Sequence, residues 1–229
     1  YEGTATVEGV TAERIYTAKK QAVEEVLQRG RIPLLVDPDG RSIEVLKPDV
    51  VVDAIIAKKN LGTYKEMAPL VIGIGPGFVA GKDVHLVVES MRGHNLARIL
   101  ETGSALANTG IPGNIGGYTK ERVIHAAAEG YMKNIHQIGD VVQKGEEIAR
   151  IYEQMSTDGI FSGKFVSVEA TIPGVLRGLI REGYHFQKGF KIADIDPRES
   201  ELANCFTISD KASSIGGSVL EAVCRYVNG

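Results

Sequence analysis

The chain has little of what marks several large classes of protein. It holds two cysteines and no CxxC pair, which argues against a disulfide framework or a zinc ribbon and is typical of a reducing cytoplasm. The net charge is −3 and no arginine-rich run occurs, so nucleic acid is not an expected partner. No apolar run approaches the ~18–20 residues that span a membrane, and no signal peptide is visible. We therefore expect a cytoplasmic protein without a membrane partner.

The length of 229 residues predicts one or two domains, and a hydrophobic fraction of 43% is sufficient for a core. The chain begins at Tyr1 without a methionine, in sequence that already resembles the middle of a domain. We therefore expect a further segment upstream of Tyr1.

Apolar, β-branched runs predict strands in residues 1–122. Strands that are apolar on both faces are typical of a parallel or mixed sheet covered by helices. A helical stripe from Ile15 to Leu27 precedes them. We therefore predict a layered α/β domain, Rossmann-like and either complete or incomplete. The predicted strands are 32–36, 50–56, 70–74 and 84–88.

A glycine cluster follows the run Leu70–Ile74 and predicts an anion-binding loop. Glycine permits positive φ and close approach of a ligand, and successive free N–H groups form an anion-binding concavity. A Walker-type NTPase is rejected, because Pro76 occupies the first glycine position and an aspartate replaces the magnesium-binding Ser or Thr. The alternative is a tight turn with a solvated lysine. The candidate residues are Gly75, Gly77, Gly81, Lys82 and Asp83.

Asp53 lies inside the apolar run 50–56, where an unpaired carboxylate is costly. It is therefore assigned either to a ligand or metal contact or to a structural role, capping a turn or pairing with Lys58 or Lys59. No metal site is predicted, although Asp83 lies near two histidines, because His85 falls inside an apolar strand.

Arg92 stands beside Gly93 and His94 after the fourth predicted strand. Its guanidinium offers a bidentate fork to an anion, and the alternative is a polar surface turn. A second glycine-rich stretch, 103–117, carries almost no charge. We predict that Asn114 and Gly116 line the same cleft as the first loop, or else that the stretch is a tight connection between domains.

An internal repeat with an offset of 44 residues occupies the second half of the chain. The segment 139–151 matches 183–195 in the pattern G-x-x-V/F-Q-K-G-x-x-I-A-x-I. This pattern resembles the half-repeats of the biotinyl/lipoyl-like barrel-sandwich hybrid, and we predict such an all-β domain over 123–197. Lys211 lies after both halves, so no lipoate or biotin is predicted. Residues 198–229 are expected to form a C-terminal helical segment that packs back on the α/β domain.

Three stretches together resemble one protein family. They are 73–85, 108–119 and the pair 194–198 with 205–212. The combination is similar to the YqeB family of selenium-dependent molybdenum hydroxylase system proteins. Members of that family begin with a G-A-G-D-L-type glycine fingerprint that this sequence lacks. The resemblance implies an accessory or maturation factor whose partner is a molybdenum hydroxylase or its cofactor machinery, and it supplies no catalytic residue.

Three functional hypotheses remain open. In the first, the glycine loops bind an anionic ligand, a nucleotide or a pterin phosphate, with Lys82 and Arg92 supplying charge. In the second, the chain transfers a sulfur, selenium or nucleotidyl group with Cys205 as nucleophile, against the alternative of a structural thiol. In the third, it is a non-catalytic scaffold. The cofactor, the oligomeric state and enzymatic activity are left undetermined.

Overall fold

The computed structural model describes residues 3–110 and 113–229, and the chain divides into two compact units. Unit 1 comprises Tyr1–Thr109 with Thr207–Gly229, and unit 2 comprises Gly110–Phe206. In the described residues no helix is long and apolar enough to cross a bilayer.

Unit 1 contains two small sheets. Its elements before the C-terminal helix are β1 (Thr4–Val7), β2 (Val10–Ile15), α1 (Lys20–Gln28), β3 (Ile32–Leu35), α2 (Arg41–Leu46), β4 (Val50–Asp53), β5 (Leu70–Ile74), β6 (Leu86–Val88) and β7 (Ile99–Leu100). In the first sheet, β1 pairs antiparallel with β2, and β2 pairs parallel with β3 across the helix α1. In the second, β4, β5 and β6 are parallel and β7 is antiparallel to β6.

The central strand β5 is buried along its whole length because both faces of its sheet are covered. On one face, Ile72 packs with Ala222 of the C-terminal helix, Asp210–Asn228. On the other face, Val71 packs with Phe78. A Cβ on Gly73 would lie 2.5 Å from the Phe78 ring, so the missing side chain makes room for that ring.

Unit 2 contains two four-stranded antiparallel sheets. Its strands are β8 (Val123–His125), β9 (Gly130–Asn134), β10 (Val141–Val142), β11 (Glu147–Met155), β12 (Phe161–Glu169), β13 (Gly174–Leu179), β14 (His185–Phe186) and β15 (Lys191–Asp196). The strand orders are β10-β13-β15-β8 and β12-β11-β9-β14. Fifteen buried residues, among them Met132, Ile151, Leu176 and Ile195, form one core cluster. The chain then returns to unit 1 in its C-terminal helix, α3 (Asp210–Asn228).

Residues 44 positions apart in the repeat occupy equivalent strands in the two sheets of unit 2. This offset carries β9 onto β13, whose first residues are Gly130 and Gly174. A Cβ on Gly130 would overlap the carbonyl oxygen of Tyr152, and a Cβ on Gly174 would overlap that of Asp196. The two glycines therefore allow the same close approach of neighbouring strands in the two sheets.

The predicted fold class is wrong. In place of a layered Rossmann-like domain, unit 1 has two small sheets, and its four-stranded sheet has only three parallel strands, joined in part by loops. In place of a barrel-sandwich hybrid, unit 2 has two separate sheets that share no strand pairing in the described residues. The chain is a mixed α/β chain with several small sheets and one long C-terminal helix.

Candidate functional site

The candidate site lies at the carboxyl edge of the parallel strands β4, β5 and β6. Those strands end at Asp53, Ile74 and Val88. In open α/β sheets, ligands bind beyond this edge, where loops from several strands meet. The predicted residues Asp53, Gly75 and Gly77 all fall here.

Asp53 closes the loop that follows β4. The residue is 8% exposed. Its Oδ2 accepts a hydrogen bond from Thr63 Oγ1 at 2.5 Å, and its Oδ1 accepts one from the Ile55 amide at 3.1 Å. The same loop holds Ile56 and Lys58 at φ of 57° and 63°. A β-branched residue rarely adopts positive φ, so this loop carries backbone strain of the kind that accompanies functional sites.

Gly75 and Gly77 bring the loop after β5 against the two neighbouring loops. Their φ angles are 79° and 117°. A Cβ on Gly75 would overlap the Ser90 hydroxyl, and a Cβ on Gly77 would lie 2.7 Å from Lys59 Cα. These glycines therefore permit contact with other parts of the chain itself, and they place the Lys59 backbone beside Gly77.

The predicted concavity of free amides is not formed at residues 81–83. The amides of Gly81, Lys82 and Asp83 donate to main-chain carbonyls at 2.8, 3.2 and 2.9 Å. Asp83 Oδ2 also accepts a hydrogen bond from the Val79 amide at 3.0 Å. This segment is a closed turn, and what it offers to solvent is the exposed Lys82 side chain.

Arg92 is engaged by α3. Its guanidinium donates to both carboxylate oxygens of Asp210, at 2.7 and 3.0 Å. The hydrogen bond to Asp210 raises the pKa of Arg92 above its ordinary value. The side chain is 57% exposed, so the pair is a surface pair that holds the segment after β6 to the first turn of α3.

Asn114 and Gly116 belong to unit 2. Asn114 Oδ1 accepts a hydrogen bond from the Gly117 amide at 3.1 Å. Gly116 has a φ of 58°, and a Cβ there would lie 2.9 Å from the Pro197 ring. Ile111 and Pro112 of the same predicted loop lie outside the described residues. Ligand contact by Asn114 and Gly116 stays a prediction.

Glu89 is a residue of this edge that sequence reasoning missed. It is 3% exposed, and its two carboxylate oxygens accept hydrogen bonds from the amides of Met91 and Leu106, both at 2.7 Å. A glutamate directly after the apolar run 86–88 was the available signal. The carboxylate holds the start of the second glycine-rich stretch against the strand edge.

His85, directly before β6, serves as a hydrogen-bond acceptor. The Val71 amide donates to His85 Nδ1 at 2.9 Å. Burial, assisted by the charge of Lys65, lowers the pKa of His85. Within residues 3–110 and 113–229, no group of three or more His, Cys, Asp or Glu side chains is arranged to hold a metal ion.

Cys205 lacks the environment of a nucleophile. Burial raises the pKa of its thiol, and the opposing charge of Arg177 is the smaller effect. A nucleophilic cysteine needs a lowered pKa to supply thiolate. The group-transfer hypothesis therefore gains no support from this residue.

Asp196, in a segment that carries part of the family resemblance, is fully buried and ion-paired inside unit 2. Its carboxylate accepts hydrogen bonds from Arg198 Nη2 at 2.8 Å and Arg177 Nη1 at 2.9 Å. The Arg198 hydrogen bonds lower the pKa of Asp196 to about 2, against desolvation. This cluster stabilises the end of β15.

The sequence of the chain is similar to that of a known bacterial protein. No family model matches the chain. A protein of Escherichia coli K12 named as uncharacterized protein YqeB is 47% identical over 228 residues, which is 100% of this chain. The chain belongs to the YqeB family. It spans 39% of the length of that relative, so the activity of the whole protein is not defined by this part.

Solved structures give weak likenesses. An ectoine utilization protein of Ruegeria pomeroyi has 17% identity and a TM-score of 0.26, covering 43% of this chain and 28% of its own. An aspartoacylase family protein of Mesorhizobium loti has 11% identity and a TM-score of 0.30, covering 44% and 29%. A succinylglutamate desuccinylase/aspartoacylase of Rhodobacter sphaeroides has 12% identity and a TM-score of 0.28, covering 57% and 46%. Likenesses at this level establish no shared activity.

Proposed function

We propose that this chain is part of an accessory factor in the maturation of selenium-dependent molybdenum hydroxylases, and that unit 1 binds an anionic ligand at the carboxyl edge of β4–β6. The family resemblance supports the setting. The observation that carries the binding site is the contact between the Gly75–Gly77 turn and the backbone of Lys59, at an edge where strained loops converge.

The charge for this site comes from side chains. Because the amides of residues 81–83 are engaged within their own turn, they do not cradle an anion. Arg92 is held by Asp210. Lys59, whose backbone touches Gly77, is exposed and supplies the positive charge. Lys82 is also exposed, but it lies where the chain returns to the amino end of β6, since the nearby His85 amide donates to the Val71 carbonyl at the start of β5. Lysine is a common point-charge partner of phosphate.

Titration calorimetry with inorganic pyrophosphate and with ATP tests the site. Because Lys59 would lose a charge-assisted hydrogen bond, we expect Lys59→Ala to weaken binding by roughly tenfold, whereas Lys82→Ala, near the amino end of β6, should have the smaller effect. Lys144→Ala, an exposed lysine of unit 2, is the matched control and should bind as the unchanged chain does. Equal affinities in all four proteins would refute the assignment.

The accessory role needs a separate measurement on the whole protein. Cells lacking the full-length protein should make molybdenum hydroxylase polypeptide at normal levels with reduced cofactor content and activity. Normal cofactor content in such cells would contradict the role. A scaffold without a ligand would instead show no rise in melting temperature with any anion, since a ligand that binds only the folded state must stabilise it.

A further inference from the structure

A cavity of about 350 Å³ lies in unit 2, where the β11–β12 hairpin extends past its neighbour β9. Strand β9 pairs with β11 only as far as Tyr152, while β11 and β12 remain paired to Met155 and Phe161. The volume is at the lower end of the range of small-molecule sites, and the cavity is open to solvent. The lining residues are Tyr131, Glu153, Gln154, Met155, Ser156 and Ser162.

A row of aromatic rings runs across the sheet beside this cavity. The registers align His185 with Tyr131, Tyr131 with Tyr152, and Tyr152 with Phe165. The ring centroids of Tyr131 and His185 are 4.7 Å apart, and those of Tyr152 and Phe165 are 5.2 Å apart. Since side chains alternate along a strand and the adjacent Met132 is in the core, this ring row faces away from the core.

The carboxylate of Glu153 is presented to the cavity by an irregularity in β12. The register shifts between Tyr152 and Gln154, so Gly163 and Lys164 lie opposite Glu153. Gly163 has a φ of 80°, and a Cβ there would lie 3.1 Å from Glu153 Oε2. The Lys164 amide donates to this oxygen at 3.2 Å. Such bulges re-aim side chains near functional sites.

The other carboxylate oxygen of Glu153, Oε1, has no hydrogen-bond partner among the described residues. The cavity is thus lined by one aromatic residue, Tyr131, one carboxylate acceptor, and the neutral polar groups of Gln154 and Ser162. A carboxylate beside an aromatic ring complements a planar heterocycle that presents a ring N–H next to an amino group. Guanine and pterin share that edge, whereas adenine places an acceptor nitrogen beside its amino group.

We propose that this cavity is a binding site for a planar 2-amino-4-oxo-pyrimidine ring, stacked on Tyr131 and hydrogen-bonded to Glu153. Stacking on an aromatic side chain supplies affinity for any planar base, and the carboxylate supplies selection. An analogue that lacks this donor pair loses the hydrogen bonds to Glu153, whose exposed carboxylate stays with water instead. This site is separate from the anion site proposed for unit 1 and does not depend on it.

Discrimination by the unchanged chain is the first test. Calorimetry with GMP, pterin and AMP should show GMP or pterin binding at least roughly tenfold more tightly than AMP, because a charge-assisted hydrogen bond is lost with adenine. GMP alone would identify a nucleotide source, and pterin alone a pterin source. Equal binding of GMP and AMP, or binding only to single-stranded RNA, would overturn the proposal, as would no binding of any probe at millimolar concentration.

Variants locate the site. Glu153→Gln should abolish the preference for GMP or pterin over AMP, whereas Glu169→Gln, an exposed acid of the same hairpin outside the cavity, should retain it. Tyr131→Ala should weaken all three ligands and Tyr131→Phe should restore them, since stacking needs only the ring. An unchanged preference in Glu153→Gln would refute the role of the carboxylate. Lys59→Ala should leave GMP discrimination intact, which separates this site from that of unit 1.

Discussion

Replacing Asp196 by asparagine tests whether the arginine cluster of unit 2 holds β15 in place. The carboxylate is fully buried, and both Arg177 and Arg198 donate to it. Its pKa falls from 3.8 to about 2 in the folded chain. At 1.36 kcal/mol per unit, this corresponds to roughly 2 kcal/mol of stability at neutral pH. The Asp196→Asn substitution would also leave two guanidinium groups without their anion, so we expect a total loss of roughly 2–4 kcal/mol.

The pH dependence has a defined sign. A carboxylate whose pKa is lowered by folding contributes fully above its unfolded pKa of 3.8, and the contribution is lost as the pH falls through about 2. The unchanged chain should therefore lose stability between roughly pH 5 and pH 2, and Asp196→Asn should lose less over that range.

Hydrogen exchange of the peptides that cover β13 and β15 measures this loss within unit 2 alone. Asp158→Asn, in the exposed turn of the β11–β12 hairpin, is the control and should exchange like the unchanged chain. Unaltered protection of β13 and β15 in Asp196→Asn at neutral pH would show that the cluster does not stabilise the strand. The reasoning from burial and pairing would then fail.

Two further predictions concern unit 1. Gly77→Ala should destabilise it by roughly 2 kcal/mol or more, because the added methyl group meets the Lys59 backbone and the φ of Gly77 is positive. The control, Gly93→Ala, has a φ of 130° in open space and should cost only the backbone strain of about 1–2 kcal/mol. Equal melting temperatures for the two variants would contradict the clash at Gly77. The free energy of unfolding should decrease as the pH is lowered through the ordinary histidine pKa of 6.5, because folding lowers the pKa of His85. His85→Gln should flatten this pH dependence in thermal melts between roughly pH 7.5 and 5.5, and an unchanged slope would exclude His85 as its cause.

Local patterns in the sequence predicted parts of unit 1 well. The strand predicted at Leu70–Ile74 has those bounds in the structure, since a β-branched run buried on both faces has few alternatives. The strand predicted over 50–56 ends at Asp53 instead. Its carboxylate turns the chain by binding the Ile55 amide, and Ile56 then adopts a positive φ that no propensity indicates.

The candidate site was harder to predict, because its hydrogen bonds connect distant residues. Arg92 is bound by Asp210, 118 positions later, so its side chain does not stand free as the local sequence suggested. The amides of residues 81–83 are engaged by carbonyls within the turn, which depends on φ and ψ angles and not on glycine content. The sequence shows Glu89 only as a polar residue at a strand end, because its hydrogen bond from the Leu106 amide depends on the tertiary structure.

The strand orders of unit 2 also show how the two halves of its repeat depend on each other. In each sheet the two central strands come from one half of the repeat, and the two edge strands come from the other half. Neither half alone contains a complete sheet. Each half can therefore complete its sheet only with edge strands supplied by the other half, so the two halves should unfold together and not one after the other.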